Sequence, residues 1–113
     1  MFNSSFVEYI IDRLDSYGDI TSRRMFGGYG LYCNKIIFAI IADDELYFKA
    51  DSELAKEYES SGSFPFTYQK DEKRVALSYY YVPIEIIEDE DSLKNWFNKS
   101  LVVAKASRLK KKR

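Results

Sequence analysis

The 113 residues suffice for one ordinary domain and are short for two, since compact domains run about 100 to 150 residues. With 46% hydrophobic and 31% charged residues, two prolines and five glycines, the chain has material for a core and little for a disordered tract. Histidine is absent, which excludes Ser-His and Cys-His nucleophile pairs and His-ligated metals, and the lone Cys33 excludes an internal disulfide, a CxxC site and a structural zinc.

The net charge of -1 conceals an asymmetry. Residues 105–113 hold six basic groups (Lys105, Arg108, Lys110, Lys111, Lys112, Arg113) and no acid, so residues 1–104 carry 11 basic against 18 acidic groups, a net of -7. An acidic body repels a polyphosphate over most of its surface, so only a local patch can meet nucleic acid. The start, Met-Phe-Asn-Ser-Ser, has neither the basic residues nor the apolar run of a signal peptide. The longest apolar block, Ile36–Ala42, has seven residues against the roughly 20 that span a bilayer. The expectation is a cytoplasmic protein with no membrane segment.

In chain order, Ser5 and Glu8 have capping-box spacing, and Phe6, Val7, Ile10, Ile11, Leu14 and Tyr17 form one helical face that Gly18 ends. From Ile20 the period becomes two, predicting strands over 21–25, 29–33, 36–42 and 45–49, the first two being either one bent strand or two, with turns at Asn34-Lys35 and Asp43-Asp44. Both faces of 36–42 are apolar, which predicts a central strand covered on both sides by helices or a partner subunit. A short helix over 52–59, capped by Asp51, ends at Ser60-Ser61-Gly62-Ser63. Phe64-Pro65-Phe66 reads as a rigid connector and residues 70–74 as an exposed charged loop before a strand over 75–82 that Pro83 closes. A last helix begins near Asp91, buries Leu93, Trp96, Phe97, Leu101 and Ala104, and runs into the basic tail. Val102 and Leu109 fall opposite that stripe; two scattered apolar residues on an exposed helix is the preferred reading of them and an oligomer contact the alternative. The order predicts an α+β fold with helices packed on a mainly antiparallel sheet. A homodimer is expected from the two-faced strand and these two residues.

No catalytic constellation emerges. Gly27-Gly28-Tyr29-Gly30 lacks the following helix that a phosphate loop requires, so a bulge bending the sheet is the reading preferred for it. Arg23, Arg24, Phe26, Tyr29 and Tyr32 form a basic and aromatic cluster, although alternation sends the two arginines to opposite faces. Along the last strand Val75, Leu77, Tyr79 and Tyr81 share one face while Ala76, Ser78, Tyr80 and Val82 share the other. Asp43-Asp44-Glu45 and residues 88–91 are acidic but lack a calcium-loop pattern, and read as a turn and a helix start. Cys33, with Lys35 nearby to lower its pKa, reads as a small half-buried residue with a redox role as the alternative. No cofactor or metal is implied.

The run Ile20-Thr21-Ser22-Arg23-Arg24-Met25-Phe26-Gly27-Gly28-Tyr29-Gly30-Leu31-Tyr32 resembles the signature of the TfoX/Sxy N-terminal domain family. Phe38, residues 46–51, Pro65-Phe66, Tyr79-Tyr80 with Pro83, and Trp96 agree in order, so the resemblance covers roughly residues 6–106. It implies an α-β3-α-β2-α fold of secretion-chaperone-like architecture, with residues 1–104 as the domain and 105–113 as a basic helical extension. It also implies a bacterial, non-enzymatic regulator of natural competence that acts on DNA-uptake genes with the cyclic-AMP receptor protein. The family's regulators carry a further helical domain that these residues lack, so the reading is of a stand-alone N-terminal module. The Asn34-Lys35 turn also departs from it, where a glycine is expected.

The leading expectation is therefore transcriptional regulation through contact with a protein, either the transcription machinery or the cyclic-AMP receptor protein. The family motif, Arg23, Arg24, Met25, Phe26, Gly27, Gly28, Tyr29 and Gly30, is the candidate partner contact. The alternative is a nucleic-acid-binding module using Lys105, Arg108, Lys110, Lys111, Lys112 and Arg113, and a third reading is a small-molecule binder.

Overall fold

The computed structural model describes residues 5–25 and 27–111, the side chains of Lys110 and Lys111 excepted. Helix α1 (Ser5–Leu14) buries Val7, Ile10 and Leu14 and ends in a 3₁₀ turn at Asp15–Tyr17. Four strands then run as an antiparallel meander: β1 (Ile20–Met25), β2 (Gly28–Cys33), β3 (Ile36–Ala42) and β4 (Glu45–Lys49). After α2 (Ser52–Ser60) come the hairpin β5 (Pro65–Lys70) and β6 (Lys73–Tyr81), the short α3 (Ile84–Glu88) and the long α4 (Glu90–Lys111). The sheet order is β1-β2-β3-β4-β6-β5, all antiparallel, so β6 returns beside β4 and β5 becomes an outer edge. No helix among the described residues is long and apolar enough to cross a membrane.

Two of the three meander turns, β2–β3 and β3–β4, use paired left-handed residues, Asn34 and Lys35 at φ 51° and 73° and Asp43 and Asp44 at 52° and 59°. Such pairs twist a two-residue hairpin in the sense the strands require, and Asn and Asp tolerate the conformation. Asn34 also receives local support, its backbone N–H donating to the Asp19 carbonyl at 3.0 Å. The β2–β3 turn therefore closes without the glycine that the family resemblance led us to expect.

All four helices contribute to one core, on one face of the sheet. That face presents Leu31, Cys33, Phe38, Ala39, Ile41, Leu46 and Phe48. The β2–β3 register shifts between Leu31, opposite Ala39, and Tyr32, opposite Ile37, leaving Phe38 as the extra residue of a bulge. Its ring turns inward to meet Phe48 and, edge-on, Phe97 of α4, with centroids 5.8 and 5.1 Å apart. Between α2 and α4 the Tyr58 and Trp96 rings stack at 4.0 Å. The buried Tyr58 hydroxyl donates to the Trp96 carbonyl at 2.8 Å, so the 2.6 Å contact with Ser100 is filled by the Ser100 hydroxyl donating. The Arg13 guanidinium donates to the Ile87 carbonyl and ties α1 to α3.

The α+β class is as the sequence implies, with differences of detail. Four strands precede α2, within what the residue pattern allows and one more than the family resemblance implies, and α3 is an additional turn of helix. Strand β3 is central, but helices cover only one of its faces. The Phe64-Pro65-Phe66 connector and the charged loop at 70–74 are largely strand: Pro65 opens β5, where an edge position spares it a ladder hydrogen bond, and Lys70 and Lys73 pair across a tight turn with Asp71 at φ 57°. The bulge lies at Phe38, whereas the glycines 27–30 form a hairpin turn and the start of β2.

Candidate functional site

The register sorts the aromatic residues into two sets. Tyr47 lies opposite Ile40 on one side and Tyr81 on the other, so these three point away from the helices. Tyr81 shares its face with Tyr79, Leu77 and Val75, and Val75 pairs with Tyr68 of β5. Ring contacts join this set: Tyr47 meets Phe66 and Tyr81 edge-on at 5.1 and 6.0 Å, Phe64 stacks on Tyr81 at 4.7 Å, and Phe66 lies beside Tyr68. None of these contacts involves a helix. Tyr47 is 6% exposed yet lies outside the helix-side core, buried by its strand neighbours alone. Burial and a 3.0 Å hydrogen bond to Glu45 push its hydroxyl pKa up.

The result is an open sheet face with an aromatic surface. Phe64 is 47% exposed, and Tyr68 and Leu77 are also exposed, next to one another at the β5–β6 end. Aromatic rings with one wet edge supply large contact area at small entropic cost, which is why they concentrate in protein interfaces. Sequence reading missed this surface in part. The alternation Phe64, Phe66, Tyr68 was present as a period-two signal, hidden by Pro65.

The family motif forms no single surface. Arg23 and Arg24 are both exposed on β1 and point to opposite sides, as alternation requires. Met25 lies over Gly30 on the open face; an ideal Cβ at Gly30 would sit 2.9 Å from Met25 Cε and 3.1 Å from Ile37 Cδ1. Tyr29 packs on the helix side while Tyr32 faces the other way, so the basic and aromatic cluster is divided by the sheet. Phe26 lies outside the described residues. Gly27 turns the hairpin at φ 79°, and a Cβ on Gly28 would sit 2.2 Å from the Ile41 carbonyl oxygen. Two motif positions therefore have structural reasons for being glycine: left-handed backbone at 27 and close approach to β3 at 28.

In α4, Lys105 and Arg108 are exposed and Arg108 donates to the Lys35 carbonyl at 3.1 Å, joining the helix end to the β2–β3 turn. The side chains of Lys110 and Lys111, and residues Lys112 and Arg113, lie outside the described set. Val102 and Leu109 are 67% and 66% exposed, as their phase in the helix predicts.

The remaining chemical candidates have structural roles. Cys33 is fully buried rather than half-buried, and burial raises its thiol pKa; the cation that partly opposes this is Lys105, not Lys35. Asp43 and Asp44 make a turn, and Asp89 caps α4 by accepting from the Ser92 backbone N–H and hydroxyl at 3.0 and 2.6 Å, which lowers its pKa. Among the described residues no group of three metal-ligating side chains converges.

Comparison with known proteins finds relatives by sequence. Protein Sxy of Escherichia coli is 35% identical over 69 residues, covering 61% of this chain and 33% of that protein. DNA transformation protein TfoX of Haemophilus influenzae is 34% identical over 73 residues, covering 64% of this chain and 33% of that protein. The chain thus spans about a third of the length of these curated relatives. The pattern that defines the TfoX N-terminal domain matches residues 12–104, from α1 through the buried part of α4, and the chain belongs to the TfoX N-terminal domain family.

Proposed function

We propose that this protein is a non-enzymatic regulatory module that binds another protein through its open aromatic sheet face, in transcriptional control of DNA uptake or a related response. The observation that carries this reading is the helix-free face on which Phe64, Tyr68 and Leu77 stand exposed over a layer of mutually packed rings. Membership of the TfoX N-terminal family, and a relative named for DNA transformation, support the biological setting. The absence of histidine and the burial of Cys33 support a role without covalent chemistry. The acidic body, net -7 over residues 1–104, supports a protein rather than nucleic acid as the main partner. By family resemblance that partner belongs to the transcription machinery or is the cyclic-AMP receptor protein.

The test is equilibrium binding of the purified chain to the cyclic-AMP receptor protein and to RNA polymerase. One of them should bind, and the double variant Phe64→Ser/Tyr68→Ser should weaken that binding by about tenfold or more, as expected when aromatic interface anchors are removed. The reading fails if neither protein binds while DNA binds tightly and truncation after residue 104 abolishes the DNA affinity.

A further inference from the structure

The far end of α4 reaches the β2–β3 turn, where Arg108 donates to the Lys35 carbonyl. Ser107 and Arg108, the turn and the end of β4 line a cleft of about 310 Å³ there. Three cations from three different elements line it: Lys35 from the turn, Lys49 from β4 and Arg108 from α4. No carboxylate is among its described lining residues, although acids outnumber bases over residues 1–104. Its walls also carry Tyr32 and Tyr79, two isoleucines and an alanine.

We propose that this cleft binds a small phosphate ester bearing a flat ring, of the mononucleotide class. Three cationic side chains converging on one recess favour an anionic ligand over a neutral one. Arg108 is held in place by its bond to the Lys35 carbonyl, and the Lys49 ammonium lies 4.9 Å from the centre of the Tyr79 ring. A guanidinium and an ammonium fixed in this way are the usual partners of a phosphate. The Tyr79 hydroxyl pKa is raised to about 12, chiefly by burial, so it stays a neutral donor at physiological pH. Tyrosine rings offer the stacking surface that any base accepts. The volume lies at the lower end of the range for ligand pockets, about 300 to 1,000 Å³, which suits one nucleotide and not a longer segment.

The test titrates the full chain with adenosine monophosphate, adenosine, inorganic phosphate and a single-stranded oligonucleotide, by calorimetry at two salt concentrations. We expect the monophosphate to bind more tightly than adenosine or phosphate. Lys49→Met/Arg108→Met should lower that affinity by about tenfold or more, while Lys99→Met, outside the cleft, leaves it unchanged. An oligonucleotide that binds more tightly still, with a salt dependence reporting several phosphates and with the same loss in the double variant, identifies a nucleic-acid strand as the source of the nucleotide. A free nucleotide is the source if the monophosphate binds as well as the strand. The proposal is overturned if neither binds, if the double variant binds like the parent, or if inorganic phosphate alone matches the monophosphate.

Discussion

Gly28→Ala places a methyl group where the fold has no room, and its cost can be worked from the contacts. The new Cβ would lie 2.2 Å from the Ile41 carbonyl oxygen, 3.3 Å from the Ile41 carbonyl carbon and 3.4 Å from the Ala42 Cα. All three are backbone atoms of β3, so relief requires β2 and β3 to separate rather than a side chain to rotate. Overpacking a tight interior costs about 1 to 3 kcal/mol, and a clash with central-strand backbone belongs at the upper end. Gly27→Ala is the natural control: its Cβ meets nothing within 4 Å, and the cost is only that of the left-handed backbone at φ 79°, about 1 kcal/mol. Urea denaturation followed by circular dichroism, with m-values compared to confirm a common unfolded state, should therefore rank Gly28→Ala as the less stable by about 1 to 2 kcal/mol. Equal stability of Gly28→Ala and the parent would refute the close-approach argument. It would leave the second glycine of the motif without a structural reason.

Three further outcomes follow from the core and its titratable groups. Tyr58→Phe removes the donor to Trp96 and leaves the buried Ser100 hydroxyl without its acceptor, so it should cost about 1 to 3 kcal/mol in urea denaturation, more than Ser100→Ala. Cys33 should react with a thiol reagent only at the rate of global unfolding; rapid labelling of the native protein would contradict its burial. Tyr79 is protonated in both folded and unfolded chains below its ordinary pKa of 10, and above that pH only the unfolded chain loses the proton readily. Stability should therefore fall as pH rises from 10 towards 12, and Tyr79→Phe should flatten that fall, read by denaturation at each pH.

Elements whose signal is local were legible in the sequence. The spacing of Val7, Ile10 and Leu14, the Asp51 cap and the alternation of 45–49 each fix an element from neighbouring residues alone. Strand β5 and the start of β6 were hidden because Pro65 and the charges at 70–74 are typical of loops, yet Pro65 and Lys70 are tolerated on an edge strand that faces solvent, and Lys73 and Arg74 lie where β6 pairs with β5 and not with β4. The open face was hidden for a different reason. That Tyr47 is buried by Phe66 and Tyr81, and not by a helix, depends on β6 pairing with β4 and on the bulge at Phe38, both long-range facts. The basic cleft likewise joins residues 35, 49 and 108, which no sequence window contains.

The central claim, that the open aromatic face is the surface this protein uses, is tested most directly by hydroxyl-radical footprinting of the chain with and without the cyclic-AMP receptor protein or RNA polymerase, whichever binds. Side-chain oxidation reads the exposed rings themselves. The account predicts that Phe64, Tyr68 and Leu77 become protected in the complex while Val102 and Leu109 on α4 remain as reactive as before. Protection confined to α4, with those three residues unchanged, would contradict it.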